Sequence, residues 1–351
     1  MIVGLPQIDT HKVVVLSITY NHSKYIEDTL KGIAMQQTKF PFLFCIFDDA
    51  STDGEQDVLN CWFEEHCNHE NIEVYDHPLT TILKAPDKDN PNCIYVIHLM
   101  KVNTWGKPER SEIINYWRQL GEYIAMCEGD DYWTDPLKLQ KQVDFLEANP
   151  EYTMCFARAI EHYEDGSRED KLFSLVEDRD YEGIEFFENW IVATASVLYR
   201  KEIFSTPLCK EYQANKKIIF GDTPLFLTCA HYGKVRGMSD VVSVYRRHDG
   251  GMTRTVLEDY DRCKRYHYHE LEIYKVFGDV YKKKSIEFFI KGHCNVFWET
   301  FWRRGLKTRY DFLQESLVVS ASGTFKVLYE MFKMRLKRRM GRTLPSKKEN
   351  E

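Results

Sequence analysis

The stretch Tyr123-Ile-Ala-Met-Cys-Glu-Gly-Asp-Asp-Tyr-Trp-Thr-Asp-Pro136 joins a short apolar segment to a cluster of carboxylates. Residues 123–127 are apolar, and Glu128, Asp130 and Asp131 follow within four positions, around a glycine. Carboxylates this close repel one another unless a positive group lies among them. Oxygen ligands on a tight turn suit a hard cation such as Mg2+ or Mn2+, held together with substrate phosphates. The stretch therefore predicts a buried strand that ends at a metal or phosphate site.

A plain structural role stays open for the same stretch. Asp135 can cap the next helix, with Pro136 at the first helical position, which would make the stretch a polar capping loop. This alternative gives no role to Glu128, Asp130 and Asp131.

Two other apolar segments end in polar loops in the same way. Residues 13–18 lead into Thr19-Tyr-Asn-His-Ser23, and residues 42–47 lead into Asp48-Asp-Ala-Ser-Thr-Asp-Gly54. Neither segment alternates, which is typical of strands buried on both faces of a parallel sheet. Apolar residues at helical spacing follow each loop. We therefore predict a Rossmann-like, doubly wound and mostly parallel α/β sheet with the three loops at one edge, where such sheets bind ligands.

The composition is that of a soluble globular protein. The chain has 351 residues, 43% of them hydrophobic and 29% charged, and a net charge of −7 that argues against a nucleic-acid partner. None of the ten cysteines forms a Cys-x-x-Cys pair, which favours a reducing cytosol over a disulfide framework or a zinc site. Neither a signal peptide nor a membrane-spanning segment is evident. We expect a cytoplasmic protein.

From about residue 257 the pattern becomes helical, so we divide the chain into a domain of residues 1–255 and a helical C-terminal region of residues 256–351. The segment 325–342 places basic residues among apolar ones: Lys326, Lys333, Arg335, Lys337, Arg338, Arg339 and Arg342. A basic amphipathic helix can lie on the anionic inner face of a membrane. A solvated terminal helix with a basic tail is the alternative.

Five segments together resemble the family 2 glycosyltransferases, which are inverting enzymes with the GT-A fold. The segments are residues 13–21 (VVVLSITYN), 48–54 (DDASTDG), 121–133 (GEYIAMCEGDDYW), 221–225 (GDTPL) and 245–251 (YRRHDGG). The last two resemble the bacterial branch that builds surface polysaccharides. Each segment is weak alone, and their common order carries the resemblance.

The resemblance implies a nucleotide-sugar donor, with UDP as the expected nucleotide. Thr19, Tyr20 and Asn21 would line the base, and Asp49 would accept hydrogen bonds from the base and ribose, which offer donors to a carboxylate. Asp131 would contact the donor sugar or the metal. For Asp49, capping of a turn is the alternative.

The family's metal motif is Asp-x-Asp. Glu128 stands at its first position, a departure that keeps the charge on a longer side chain, and Asp130 stands at its second. His248 resembles a histidine on a closing loop that helps to bind the metal or the diphosphate. A Mn2+ or Mg2+ ion held here would neutralise charge on the departing nucleoside diphosphate. A local hydrogen bond is the alternative role for His248.

Asp222 matches the family's catalytic position and would take the proton from the acceptor hydroxyl. Partial burial would raise its pKa, and a helix N-cap is the alternative role. Trp133 and Ser196 are weaker candidates for contact with the acceptor. For Trp133, burial in the core is the alternative.

These implications describe a metal-dependent, inverting glycosyltransferase of the hexosyltransferase type, acting on a glycan or lipid-linked acceptor in surface polysaccharide synthesis. One rival is a nucleotidyltransferase acting on sugar phosphates, which usually carries a Gly-rich loop after its first strand; residues 19–23 contain no glycine. A second is a non-catalytic sugar- or nucleotide-binding module, against which Asp130, Asp131 and Asp222 together count.

Overall fold

Residues 5–251, 259–300 and 306–341 are described by the structure, a computed structural model. The strands are β1 His11–Thr19, β2 Phe42–Asp48, β3 Glu73–His77, β4 Thr80–Pro86, β5 Cys93–Met100, β6 Gly121–Met126, β7 Tyr132–Trp133, β8 Tyr152–Tyr163, β9 Lys171–Leu172, β10 Leu198–Arg200 and β11 Lys234–Arg247. The α-helices are α1 Ile26–Ala34, α2 Glu55–His66, α3 Pro108–Gln119, α4 Lys138–Ala148, α5 Gly183–Asn189, α6 Pro207–Ala214, α7 Asp222–Tyr232, α8 Tyr260–Phe277, α9 Lys282–Thr300, α10 Leu306–Val319 and α11 Ala321–Gly341. Short 3-10 turns lie at His69–Asn71, Thr194–Ser196, Lys201–Ser205 and Asp279–Tyr281.

Within the described residues, eleven strands form one sheet in the order β3-β4-β5-β2-β1-β6-β10-β8-β11-β7, with β9 beside β8. The strands β5, β2, β1 and β6 are parallel, and Val13 of β1 lies between Phe42 of β2 and Tyr123 of β6. The chain moves from β1 to β2 and β5 on one side, then returns to β6 on the other. This is the predicted doubly wound arrangement, and it creates a topological switch point between β1 and β6.

The parallel part of the sheet is smaller than the sequence pattern predicts. Strands β3, β4 and β5 pair antiparallel, as do β6, β10 and β8, and β7 with β11. Outside the four central strands, β8 and β11 make one further parallel pair. An apolar strand buried on both faces has the same composition whichever way it runs, so its direction is not visible in the sequence.

One face of the parallel strands packs against α1, α2 and α4. Ile26, Leu30 and Ile33 recur at helical spacing on α1, are fully buried, and join Val15 and Phe44 of the sheet. Burying side chains of this size contributes roughly 1.5–3 kcal/mol each. The ten cysteines are free and nine of them are buried, in agreement with the prediction of no disulfides.

The chain divides into two compact units. The second comprises residues 210–224 and 252–351, and the first comprises the rest. The predicted division between residues 255 and 256 falls within residues 252–258, which are outside the described residues, and it stays a prediction.

In the second unit, α8, α9, α10 and α11 pack around a small apolar cluster that includes Leu271, Phe289 and Ile290. Among the described residues, none of the helices has the length and apolarity needed to cross a bilayer. Arg342, the last member of the predicted basic segment, lies outside the described residues.

Helix α4 begins at Lys138, two residues later than the predicted start at Pro136, and Asp135 accepts a hydrogen bond from the N–H of Leu137 (2.9 Å). Lys138 itself is fully buried. Its ammonium donates to Gln142 Oε1 (2.8 Å) and lies over the indole of a neighbouring tryptophan. Burial lowers the pKa of Lys138 to about 7.

We expect the wild-type protein to gain stability relative to a Lys138→Met variant as the pH rises from about 7, the folded pKa, to about 10.4, the pKa of an unfolded lysine. In this window the unfolded chain binds a proton at Lys138 that the folded chain does not. Raising the pH therefore weakens the stabilisation of the unfolded chain by this proton and increases the free energy of unfolding. Below the window both states are charged and the difference is constant. Urea unfolding of both proteins at several pH values measures the effect, and a pH-independent difference would contradict it.

Candidate active site at the carboxyl edge of the sheet

The three predicted polar loops follow neighbouring parallel strands. β1 ends at Thr19, β2 ends at Asp48, and β6 ends just before residues 127–131, here called the acidic turn. Because β1 pairs with β2 on one side and β6 on the other, the loop after β1 lies between the other two. This edge is the switch point, where open α/β sheets bind their ligands.

The acidic turn is held close to α1 and β1. Thr29 Oγ1 donates to the carbonyl of Asp131 (2.6 Å) and lies 3.2 Å from that of Gly129. A Cβ atom at Gly129 would lie 2.1 Å from Thr19 Oγ1, which is too close for any side chain. The turn therefore requires glycine, and its close approach brings Asp130 beside the loop after β1.

His22, Asp130 and His248 converge at this edge. One ligand atom from each lies within 4.8 Å of the others. His248 Nε2 is 3.0 Å from Asp130 Oδ2, and His22 Nε2 is 3.8 Å from the same oxygen. Burial raises the pKa of Asp130, but the hydrogen bond from His248 and the proximity of the two imidazoles outweigh this effect, so the pKa lies below its usual value. Two predicted ligands, Asp130 and His248, thus meet, whereas Glu128 is not a member of this group.

The His22 ring is oriented by Thr19 and Glu55. Thr19 Oγ1 donates to the Glu55 carboxylate and lies 3.1 Å from His22 Nδ1, and Glu55 also accepts from the backbone N–H of His22 (2.8 Å). Because the Thr19 hydroxyl donates its hydrogen to Glu55, His22 Nδ1 donates to Thr19 Oγ1 in this arrangement, which leaves a lone pair on Nε2. Burial lowers the pKa of His22 and favours this neutral form. Nε2 therefore faces the Asp130 carboxylate as a second electron-pair donor.

Asp131 is buried and is held by β11. Its Oδ1 accepts from the backbone N–H of Arg246 (2.9 Å), and its Oδ2 has no hydrogen-bond partner among the described residues. Burial, followed by repulsion from Asp130 and Glu128, raises the pKa of Asp131 well above its usual range. A buried polar atom without a partner costs roughly 1–3 kcal/mol. The contact of Asp131 with the donor sugar or the metal stays a prediction.

The Arg246 side chain secures the acidic turn from the other side. Its Nε donates to the carbonyl of Asp130 (2.9 Å), while Nη1 and Nη2 pair with Glu164 (2.6 Å) and Asp28 (2.7 Å). The guanidinium is nearly buried and lies between two tyrosine rings. Its charge is paired with Glu164 and Asp28, and it opposes, without outweighing, the rise in the pKa of Asp131.

The residues predicted to hold the nucleotide have different settings. Tyr20 is 44% exposed, and Asn21, with a positive φ of 59°, accepts a hydrogen bond from the loop after β2 (2.8 Å). Asp49 is buried: Oδ1 accepts from the N–H and the hydroxyl of Thr104 (both 2.6 Å), and Oδ2 accepts from Arg110 (2.9 Å). The Asp49 carboxylate anchors the loop that follows β5, and its contact with a nucleotide stays a prediction.

Both residues predicted to meet the acceptor are buried. Trp133 is 1% exposed, and its Nε1–H donates to the carbonyl of Ala195 (2.8 Å). The hydroxyl of Ser196 donates to the carbonyl of Ala193 (2.7 Å). Because neither side chain reaches the surface, the structure does not support the acceptor role predicted for them, and Trp133 belongs to the core.

Asp222 is the first residue of α7 and lies in the second unit. Its Oδ1 accepts from the N–H of Thr223 (2.8 Å), so it serves as a cap. Burial raises the pKa of Asp222. In the same unit, burial and then the Asp222 charge raise the pKa of Glu270 to about 7. Asp222 thus combines the capping role with the raised pKa that was predicted for it.

The residues of this edge that were not predicted from the sequence include His22, Thr29, Glu55 and Arg246. Arg246 stands inside the segment 245–251 that carries the resemblance, and His22 and Glu55 follow directly after the segments 13–21 and 48–54. Their proximity to predicted residues was the available signal. The sequence gives no comparable signal for Thr29, because a hydroxyl group on the buried face of a helix is common.

Comparison with known proteins gives a family match and several relatives. Residues 14–81 match the model of the family described as glycosyl transferase family 2. An uncharacterised protein of Mycobacterium tuberculosis is 32% identical over 245 residues, which are 70% of this chain and 61% of the relative. The Bacillus subtilis protein TuaG, provisionally named a teichuronic acid biosynthesis glycosyltransferase, is 26% identical over 188 residues, 54% of this chain and 62% of TuaG. The chain therefore spans less than two thirds of the length of these relatives.

Among solved structures, residues 1–349 of Staphylococcus aureus TarS, in complex with UDP-GlcNAc, match with a TM-score of 0.55 and 14% identity, over 92% of each chain. At this identity the likeness concerns the fold, and it confirms the predicted α/β architecture with a helical C-terminal region. The chain therefore has the GT-A fold, and residues 14–81 match the model of glycosyl transferase family 2.

Proposed function

We propose that this protein is an inverting, metal-dependent glycosyltransferase that moves a sugar from a UDP-sugar to a hydroxyl of a glycan or lipid-linked acceptor in surface polysaccharide synthesis. The convergence of His22, Asp130 and His248 at the switch point of the sheet carries the proposal. The family match of residues 14–81 supports transfer of a sugar, and the names of TuaG and of the UDP-GlcNAc complex of TarS support the acceptor class and the nucleotide.

The donor set at this edge fits a divalent cation. Two imidazoles and one carboxylate lie within coordinating reach of a common point, and the lone pair of His22 Nε2 faces the Asp130 carboxylate. Mg2+ prefers oxygen ligands and several waters, whereas imidazole ligands suit transition metals, so we favour Mn2+ over Mg2+. A bound ion would neutralise charge on the two phosphates and on the departing nucleoside diphosphate.

The protein's own groups would position the donor. Thr19 and Glu55 fix the His22 ring, and Arg246 fixes the acidic turn. Asp131 Oδ2, which has no hydrogen-bond partner among the described residues, would pair with a hydroxyl of the donor sugar. The exposed ring of Tyr20 offers a stacking face for the base.

Asp222 would act as the general base. Its carboxylate would take the proton of the acceptor hydroxyl while the hydroxyl oxygen forms a bond to the anomeric carbon. The bond from that carbon to the phosphate oxygen breaks, and the nucleoside diphosphate leaves with the electron pair, so the anomeric configuration inverts. A raised pKa makes Asp222 a better proton acceptor, because base strength follows pKa.

The cation site can be tested by titrating Mn2+ alone into the protein by calorimetry. We expect Asp130→Asn and His22→Gln each to weaken Mn2+ binding by at least about tenfold, because each removes an electron-pair donor of the cluster. Asp57→Asn, which alters an exposed carboxylate on α2, is the matched control and should bind as the wild type does. Wild-type binding no tighter than that of Asp130→Asn, or tighter for Mg2+ than for Mn2+, contradicts the assignment.

The base can be tested independently of the cation. We expect Asp222→Asn to lower transfer, measured as UDP release in the presence of acceptor, by roughly 10²–10⁴-fold, because an amide cannot take the proton. Binding of the UDP-sugar with Mn2+ should persist in this variant. Asp279→Asn, at an exposed carboxylate of the same unit, is the control. Full turnover of Asp222→Asn would show that the base is another residue.

A further inference from the structure

Helix α11 carries an apolar stripe on its exposed face, which we define as Phe325, Tyr329, Phe332 and Leu336. These residues follow one another at spacings of four, three and four, so they lie on one side of the helix. Each is between 43% and 66% exposed. Large apolar side chains grouped in this way mark an interaction surface more often than scattered ones do.

The stripe is not needed to hold α11 in place. A different face of the helix, with Val327, Leu328 and Met331, packs against the apolar cluster of the second unit, and Thr324 on that face is fully buried. With 3.6 residues per turn, the two faces are roughly a third of a turn apart. The helix thus has two apolar faces, of which one is covered within the unit.

Basic residues flank the stripe. Lys326 and Lys333 are exposed and lie together on the side away from the packed face. Arg335, on the other side, lies over the Trp298 ring (5.3 Å). Glu330 is the acidic residue between positions 321 and 336. This segment is therefore basic within a chain whose net charge is −7.

We propose that the stripe with its flanking lysines is a docking surface for an anionic lipid bilayer. A helix that lies in the interface inserts aromatic and aliphatic side chains between the headgroups, while lysines beside them contact lipid phosphates. Long basic side chains keep their charge in the headgroup layer while their stems cover apolar surface.

A second copy of the chain is the competing occupant, and two features disfavour it. The stripe extends over four positions in twelve residues, whereas paired helices usually repeat their apolar seam over three or four heptads. The flanking positions also carry two lysines, which would face like charges in a symmetric helix pair instead of acidic partners. The proposal does not depend on the transfer reaction.

Flotation of the full chain with lipid vesicles tests this surface without any donor or acceptor. We expect binding to vesicles of phosphatidylcholine with phosphatidylglycerol, and little binding to vesicles of phosphatidylcholine alone. Lys326→Gln combined with Lys333→Gln should lower the partition coefficient by roughly tenfold or more, since each lysine near such a surface contributes about 1 kcal/mol. Lys282→Gln with Lys283→Gln, at two exposed positions of α9, is the matched control.

The apolar part is tested with Phe325→Ser, Tyr329→Ser and Phe332→Ser together, against Val280→Ser, which changes an exposed apolar residue elsewhere in the unit. The triple variant should lose vesicle binding and keep its melting temperature. The wild-type protein alone can overturn the proposal. It does so if it binds neutral and anionic vesicles equally well, or if it binds neither. Light scattering that shows a wild-type dimer which the triple variant loses, with no vesicle binding, assigns the stripe to a second copy instead.

Discussion

The buried guanidinium of Arg246 is the contact on which the arrangement at the carboxyl edge depends. It joins the end of β11 to the acidic turn through the Asp130 carbonyl, and to α1 through Asp28. The backbone N–H of the same residue holds Asp131. One residue, fixed from several directions, thus holds the backbone of the acidic turn at Asp130 and the side chain of Asp131 in place.

The central architecture could be predicted because strands buried on both faces consist of apolar residues, which are visible in the sequence. Apolar segments such as residues 13–18 and 42–47, each followed by a polar loop and a helical pattern, define strands of a parallel sheet. The switch point followed from this order. The antiparallel strands could not be predicted as such, since a short segment like Leu198–Arg200 takes its direction from the strands that accept it.

The candidate site was predicted in part, and its gaps have physical causes. Asp130 and His248 came from the resemblance, and the structure brings them together. His22 was missed because its partner Asp130 lies more than a hundred residues away in the sequence. The pairing of β1 with β6 brings the two residues together in space. The structure does not support the acceptor contacts predicted for Trp133 and Ser196, because sequence alone does not show which side chains of a loop are turned to the core.

Glu55 joins parts of the edge that are distant in sequence. Standing at the start of α2, it accepts hydrogen bonds from Thr19, from the backbone of His22 and from Ser51. Hydrogen bonds through Glu55 therefore connect the loop after β1 to the loop after β2. If residues 19–23 bind a nucleotide and His22 holds a cation, as proposed, then movement of either loop on nucleotide binding would also turn the His22 imidazole and change the geometry of the cation site.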